Sequence, residues 1–381
     1  MRKVYLDNAA TTQIRKEVVV KMQEALAIYG NPSSTHSFGR TAKTGIEKAR
    51  KTIAKYLNAH PSEIIFTSGG TEADNMILRG AVRDLGVKTI ITSRIEHHAV
   101  LHTVDELEKE HGIIVCYVDL DAHGNPKVSH LEELLKADDS KKLVSLMHIN
   151  NEVGNLLPIH KVAILCKKHD ALFHSDTVQS IGHYTWDVAE TPIDFLAAAA
   201  HKFHGPKGIG FVFIRRNSGL KPLIFGGAQE RGFRAGTESY HNIIGLEHAF
   251  IAAYDNLKEE KKYITELKQY FIEKIKAEIP DAKFNGGSGL MDKSTYILVN
   301  VCLPFSKEKA MLLLFHLDLK GIACSKGSAC QSGSAMGSHV LSAILSEEDV
   351  ARPSLRFSFS KYNTKEELDY TIEVLKEFEA S

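Results

Sequence analysis

The chain has 381 residues, and its 47 basic and 47 acidic side chains give a formal charge of zero at pH 7. A balanced charge predicts no direct binding to nucleic acid and no attraction to an anionic membrane surface. The apolar runs are short, such as those at 195–200 and 311–315, and none approaches the ~18 residues of a membrane span. The N-terminal stretch has no apolar signal core. We therefore expect a soluble, cytoplasmic protein of two domains.

The cysteine pattern is typical of a protein without structural disulfides. The number is odd and no C-x-x-C pair occurs, which argues against a disulfide framework and against a zinc ribbon. Cys116 and Cys166 fall in predicted interior elements and are expected to be small buried hydrophobes. The remaining cysteines are Cys302, Cys324 and Cys330, and the last two lie in a segment rich in Gly and Ser.

Short apolar segments alternate with helical patterns through the first two-thirds of the chain. The predicted strands are 63–68, 88–93, 112–120, 142–148, 171–176 and 194–200. The predicted helices between them are 71–85, 99–111, 131–136 and 161–169. This alternation predicts an α/β domain with a largely parallel sheet. A further strand at 209–214 follows a short connection, which favours an antiparallel orientation.

The last third of the chain predicts a smaller α+β unit. A long helical stretch at 239–278, rich in Glu and Lys, has the pattern of a bridge between domains. The elements after it are a strand at 296–301, a helix at 307–317, a loop of small residues at 321–338, a strand at 355–360 and a helix at 364–379.

The motif SGGTEADN (68–75) follows a predicted strand and opens a predicted helix. Small residues such as Gly70 leave backbone N–H groups open at a helix N-terminus, where anions bind, and Thr71 adds a hydroxyl. The alternative is a simple turn before a helix.

Two charged residues follow buried strands. Lys202, in AHKFHGPKG (200–208), follows an alanine-rich strand, and burial favours the neutral amine that a Schiff-base lysine needs. Asp176, in ALFHSDTVQS (171–180), would be costly at the end of a buried strand unless a cation or hydrogen-bond donor faced it. The alternatives are a lysine that reaches solvent from the strand end and a surface carboxylate.

Other polar side chains lie where ligands bind in open α/β sheets. His97 and Asn151 both come just after predicted strands. Cys330 lies among Gly and Ser residues without apolar periodicity, which predicts an exposed thiol. This thiol is either a nucleophile or a surface cysteine without a catalytic role. Strand alternation in SLRFSFS places Arg356 opposite Leu355 and the phenylalanines, where it could clamp a carboxylate or form an ordinary salt bridge.

Together these residues describe an enzyme that uses pyridoxal phosphate (PLP) on an amino acid. The sequence closely resembles the cysteine desulfurases of the NifS/IscS type, within the class V aminotransferases. The resemblance runs nearly end to end, through YLDNAATT (5–12), GNPSSTH (30–36), SGGTEADN, EHHAV (96–100), HINNEVG (148–154), HSDTVQS (174–180), AHKFHGPKG, GGAQERGFRAGT (226–237), GSAC (327–330) and LRFSFS (355–360).

The resemblance implies fold type I of the PLP-dependent transferases. A large PLP-binding domain with a mainly parallel seven-stranded sheet would comprise residues 15–255. Residues 1–14 and 256–381 would form the smaller domain, with a mobile catalytic loop at about 323–338. The family works as a homodimer with a shared active site.

The resemblance also assigns roles to individual residues. Lys202 would hold PLP as a Schiff base and move the Cα proton, and Cys330 would take the substrate sulfur as a persulfide and leave alanine. His97 would stack on the ring and act as an acid or base. The other expected contacts are Asp176 with the ring nitrogen, Asn151 and Gln179 with the ring oxygen, Gly70, Thr71, His201 and the partner subunit's Thr237 with the phosphate, and Arg356 with Asn31 for the substrate carboxylate.

Two departures from the family pattern matter. Ala199 stands where the family usually has Ser or Thr, three residues before the lysine, so one hydrogen bond to the phosphate would be lost. The sequence also ends soon after its last predicted helix, whereas relatives that serve the iron–sulfur scaffold have a further tail. The persulfide acceptor, an iron–sulfur scaffold or a tRNA thiolation enzyme, therefore stays open.

Three alternatives remain at this stage. A selenocysteine lyase or a small-substrate aminotransferase of the same family would not need Cys330. A degenerate scaffold without turnover would bind partners only. Cys324, six residues before Cys330, is either a relay thiol or a structural one.

Overall fold

The computed structural model describes residues 2–326 and 337–380. The strands are Val4–Tyr5 (β1), Ile64–Thr67 (β2), Thr89–Thr92 (β3), Ile114–Tyr117 (β4), Lys142–Ser145 (β5), Leu172–Asp176 (β6), Phe195–Ala199 (β7), Gly210–Ile214 (β8), Lys283–Phe284 (β9), Leu298–Cys302 (β10), Ile322–Ala323 (β11) and Ser354–Ser358 (β12). The helices are Lys16–Leu26 (α1), Ser37–Tyr56 (α2), Gly70–Leu85 (α3), His98–His111 (α4), Val128–Lys136 (α5), Ile159–Lys168 (α6), Tyr240–Asp255 (α7), Leu257–Glu278 (α8), Lys307–Leu319 (α9), His339–Ile344 (α10), Glu347–Ala351 (α11) and Lys365–Ala380 (α12).

A seven-stranded sheet dominates the described part of the chain, in the order β2-β8-β7-β6-β5-β3-β4. The neighbours from β7 to β4 run parallel, and β8 is antiparallel to both β2 and β7. The short link from β7 to β8 explains this reversal, because a parallel pair needs a longer crossover connection. The expected antiparallel strand and the mainly parallel sheet are both confirmed.

Both faces of this sheet are covered. Alternate strand residues supply two cores: Phe66, Ile91 and Phe173 point to one side, and Ile65 and Ile90 point to the other. This double burial explains why the strands are continuous apolar runs instead of an alternation of apolar and polar residues.

A smaller α+β unit is built on the antiparallel sheet β12-β10-β9. Phe271 of α8 packs against Phe357 and Phe359 in its core. The beginning of the chain belongs to the same region, since β1 pairs with β11 and Asp7 bridges to Ser358.

The structure refines several expectations. The single helical stretch at 239–278 is two helices that meet at Asn256, whose φ of −103° and ψ of 7° break the helical path. Helices α1 and α2 were not predicted. Cys116 is half-buried, whereas Cys166 is fully buried as expected. In the described ranges, no helix is long and apolar enough to span a bilayer.

Candidate active site

The carboxyl ends of β6 and β7 and the N-terminus of α3 enclose a cavity of about 230 Å³. Ligands of open α/β sheets bind at this position. The cavity is lined by nine residues of the predicted site, namely Gly70, Thr71, His97, Asn151, Asp176, Gln179, His201, Lys202 and Arg356.

Lys202 ends a one-turn 3₁₀ helix that directly follows β7. Its Nζ atom donates hydrogen bonds to the carbonyls of Ala9 and Ala10, at 2.6 and 2.8 Å. The backbone carbonyl of Lys202 in turn lies 3.0 Å from Nε2 of the half-buried His183. The amine is therefore held at the cavity wall by the N-terminal segment of the chain.

Asp176 is the last residue of β6 and is 7% exposed. Its Oδ1 atom accepts a hydrogen bond of 2.9 Å from the amide of Val178, and burial raises the pKa of its carboxyl group. A buried carboxylate in this position suits a cationic partner such as a protonated ring nitrogen, because a buried charge needs a compensating group.

A second buried pair lies near Asp176 and was missed by the sequence analysis. Asp74 of α3 also lines the cavity, and its Oδ1 atom lies 3.4 Å from Nε2 of His174. Burial raises the pKa of Asp74, and the nearby Asp176 raises it further. The signal available in the sequence was the position of Asp74 one helical turn after Thr71, on the same face of α3.

The N-terminus of α3 has the close approach that an anion cradle needs. A Cβ atom on Gly70 would lie 2.5 Å from the side chain of Val178, so only glycine fits there. Glu72 accepts from the amide of Ser68 at 2.8 Å and pairs with Arg234 at 2.9 Å, which fixes the first turn. Backbone N–H groups at a helix N-terminus bind phosphate.

His201 and His97 are neutral at physiological pH. Burial and the neighbouring Lys202 lower the pKa of each imidazole to about 4. His97 caps α4, and its Nδ1 atom accepts from the amide of Ala99 at 3.1 Å. A neutral ring that accepts at Nδ1 has its proton on Nε2. His97 therefore presents an N–H donor to the cavity.

Arg356 is 1% exposed and its guanidinium is held in place from two directions. Nη2 pairs with Asp7 at 2.8 Å and Nη1 donates to the carbonyl of Asn151 at 2.7 Å. Its Nε atom has no hydrogen-bond partner among the described residues. A guanidinium with a free donor beside a cavity can bind a carboxylate.

Two predicted residues do not line this cavity. Asn31 is exposed, and its side chain accepts from the amide of Ser33 at 2.9 Å. Thr237 is exposed and lines a different pocket, near Glu230. Cys330 lies outside the described residues. Cys324 packs against the smaller core, and burial raises the pKa of its thiol, which favours the structural role over the relay.

Three further residues at the cavity wall, and the buried Glu96 beside them in the sequence and the fold, were missed by the sequence analysis. His98 follows His97 in the motif EHHAV, and Glu152 follows Asn151 in the motif HINNEVG. Glu96 is fully buried and accepts from the amide of Met147, and burial raises its pKa to about 8. His339, the first residue of α10, had no local signal, because only the folded chain brings it beside His98.

The comparisons with known proteins agree with this geometry. A family model described as Aminotransferase class-V matches residues 4–371. A cysteine desulfurase IscS of Dictyoglomus turgidum is 44% identical over 378 residues, which are 98% of this chain and 94% of that protein. A solved structure of a NifS-like protein has a TM-score of 0.89 at 36% identity, covering 100% of this chain and 99% of that one. A structure of SspA in complex with cysteine has a TM-score of 0.82 at 33% identity, covering 95% and 100%.

The chain belongs to the class V aminotransferase family, whose members depend on PLP. Within that family it is a cysteine desulfurase of the NifS/IscS type. The cavity fits this cofactor, because one wall supplies an amine, another a buried carboxylate, and the N-terminus of α3 a backbone cradle that a Cβ atom at residue 70 would fill.

Proposed function

We propose that this enzyme removes sulfur from L-cysteine, leaves L-alanine, and takes the sulfur onto Cys330 as a persulfide. The observation that carries the proposal is the convergence of Lys202, Asp176 and Arg356 on one cavity. When bound there, PLP withdraws electrons from the substrate and so weakens its Cβ–S bond.

The residues of the cavity divide the work of holding the cofactor. Gly70, Thr71 and His201 are proposed to bind the phosphate and Asp176 to pair with the ring nitrogen. Asn151 and Gln179 are proposed to bind the ring oxygen. The side chain of Gln179 donates to the carbonyl of Ala9 at 2.9 Å, which orients it at the cavity wall.

Four side chains are proposed to act on the substrate. Arg356 binds the carboxylate from the cavity wall, and Asn31, which is exposed and does not line the cavity of this chain, is proposed to assist it. Lys202 moves the proton at Cα, since its Nζ atom is already held at the cavity wall. His97 stacks on the ring and offers the Nε2–H group of a neutral imidazole. This group can act as a general acid during the reaction.

Two subunits are proposed to share each site. Thr237 is exposed and does not line the cavity of its own chain, as expected of a residue that binds the phosphate of the partner subunit. We assign residues 15–255 to the cofactor-binding domain and residues 1–14 with 256–381 to the smaller one. The persulfide acceptor is a protein, an iron–sulfur scaffold or a tRNA thiolation enzyme.

The variant Cys330→Ala tests the sulfur step. We expect alanine and sulfide release from L-cysteine, measured with a reductant, to fall by at least roughly 10³-fold, because the nucleophile that accepts the sulfur is gone. PLP content, measured by absorbance, stays at the wild-type level. Cys116→Ala is the matched control, since that thiol lies in β4, and it is expected to keep full activity. Turnover retained in Cys330→Ala would favour the selenocysteine lyase or aminotransferase alternative.

Restoring a hydroxyl at residue 199 tests the phosphate contact. Ala199 is buried at the end of β7 and lines the cavity. We expect Ala199→Ser to tighten PLP binding about 2- to 10-fold, since one neutral hydrogen bond contributes ~0.5–1.5 kcal/mol. The dissociation constant of PLP from the apoenzyme is the measurement. Ala198→Ser, on the neighbouring residue that does not line the cavity, is the control, and an equal gain there would contradict the assignment.

A further inference from the structure

His339 lines the cavity, together with His97 and Arg356, and has a defined tautomer. Its Nε2 atom lies 2.9 Å from the backbone carbonyl of Glu96. A carbonyl only accepts hydrogen bonds, so the proton of the neutral ring is on Nε2 and Nδ1 has a free lone pair. Nδ1 is buried and has no hydrogen-bond partner among the residues that the structure describes.

The ring of His339 is held from several sides. It lies against the ring of His98, with centroids 4.4 Å apart, and His98 lies against His102 at 4.6 Å. The preceding residue, Ser338, caps α10 and donates its hydroxyl to the carboxylate of Glu152. The direction of the Nδ1 lone pair is therefore fixed before any substrate arrives, which reduces the entropy lost on binding.

Two of the four histidines that line the cavity, His97 and His339, have opposite hydrogen-bonding roles. Nδ1 of His97 is used in capping α4, so its remaining nitrogen is a donor. Nε2 of His339 is used by Glu96, so its remaining nitrogen is an acceptor. The unused nitrogen of His339 is thus an acceptor, and a ligand that reaches it has to supply a hydrogen-bond donor.

L-cysteine has only one donor left for this position. Its carboxylate cannot donate, and its amino group is used by the cofactor. We propose that Nδ1 of His339 accepts a hydrogen bond from the thiol of L-cysteine and so positions the sulfur, an inference that rests on the proposed function. His339 is then a substrate-positioning residue that selects side chains with a donor at the γ position.

Two substitutions distinguish the roles of the two ring nitrogens of His339. In His339→Gln the amide nitrogen takes the place of Nε2, so the bond to Glu96 is kept and the acceptor is lost. In His339→Asn the amide oxygen takes the place of Nδ1, so the acceptor is kept and the bond to Glu96 is lost. His102→Gln is the control, because that exposed ring does not line the cavity.

Binding of two inert analogues to the holoenzyme gives a readout that does not depend on turnover. L-serine has a hydroxyl donor at the γ position and L-2-aminobutyrate has a methyl group there. Their dissociation constants follow from the change in cofactor absorbance. We expect His339→Gln to reduce the binding preference for L-serine over L-2-aminobutyrate about 5- to 10-fold, because one hydrogen bond is lost. The value of kcat/KM for L-cysteine should fall by a similar factor. His339→Asn and His102→Gln should keep the wild-type preference.

An unchanged preference in His339→Gln would overturn the proposal, whatever happens to kcat. Equal losses of kcat/KM in both variants at constant preference would mean that His339 only anchors α10. A wild-type enzyme that binds PLP but releases no alanine from L-cysteine would instead contradict the proposed function, and the analogue preference would then still test the acceptor.

Discussion

Lys202→Ala is expected to lower alanine formation from L-cysteine by at least roughly 10³-fold, because it removes the proposed covalent anchor of the cofactor, which is also the group proposed to move the Cα proton. It also leaves the carbonyls of Ala9 and Ala10 without the amine that they bind at 2.6 and 2.8 Å. Alanine release is measured beside the absorbance spectrum of the purified protein, in which the band of the lysine-bound cofactor should be missing.

Lys207→Ala is the matched control for this variant. Lys207 lies in the same motif and is exposed, and it does not line the cavity, so its removal should leave the rate and the spectrum unchanged. If Lys202→Ala retained more than a tenth of the wild-type rate together with the normal spectrum, another amine would have to hold the cofactor.

Glu230→Gln is expected to reduce the free energy of unfolding by about 3 kcal/mol, because it removes one charge of a buried ion pair. Both carboxylate oxygens of Glu230 accept from the guanidinium of Arg50, at 2.7 and 2.8 Å, and Oε2 also accepts from the amide of Phe66. Both side chains are 2% exposed. Chemical denaturation at neutral pH measures the loss, and PLP retention shows whether the segment that leads to Thr237 is displaced as well.

The neighbouring residue provides the control. Glu230 and Arg231 both have a left-handed backbone, with φ of 45° and 59°. The ion pair of Arg231 with Glu47, at 2.8 Å, is partly exposed, unlike that of Glu230. Arg231→Gln should cost less than about 1 kcal/mol, since exposed ion pairs contribute little. Equal losses in the two variants would contradict the larger contribution assigned to the buried charge.

The sequence predicted the main sheet well because each of its strands is buried on both faces. Such strands are short apolar runs that Gly, Pro and polar residues interrupt, and they are recognisable without tertiary information. Helix α2 was missed for a physical reason. It contains Gly39 and Gly45, which have low helix propensity. A Cβ atom at Gly45 would lie 2.6 Å from the hydroxyl oxygen of Tyr240, and this contact exists only after folding.

The candidate site also contains residues that local sequence could predict and residues that it could not. Asp176 ends a recognisable strand, Arg356 lies within one and Lys202 follows one closely, so their chemistry could be predicted from local sequence. Their supporting partners come from remote parts of the chain, such as Asp7, which is 349 residues from Arg356. Pattern reasoning within a short window has no access to such pairs, and the role of His339 was missed for this reason.

The pairing of β1 with β11 has a consequence for the synthesis of the enzyme. Residues 4–5 cannot form their strand pairing until residues 322–323 have been synthesised. The amide of Ala9 likewise has its acceptor, the hydroxyl of Ser358 at 2.8 Å, only after residue 358 has been made. At ~5–20 residues per second, ribosomes need roughly 15–60 s to make the chain between the two strands. The carbonyls that hold Lys202 are fixed only after that delay. We therefore expect the cofactor to be acquired at the end of translation or after it, by a chain whose large sheet has already been made.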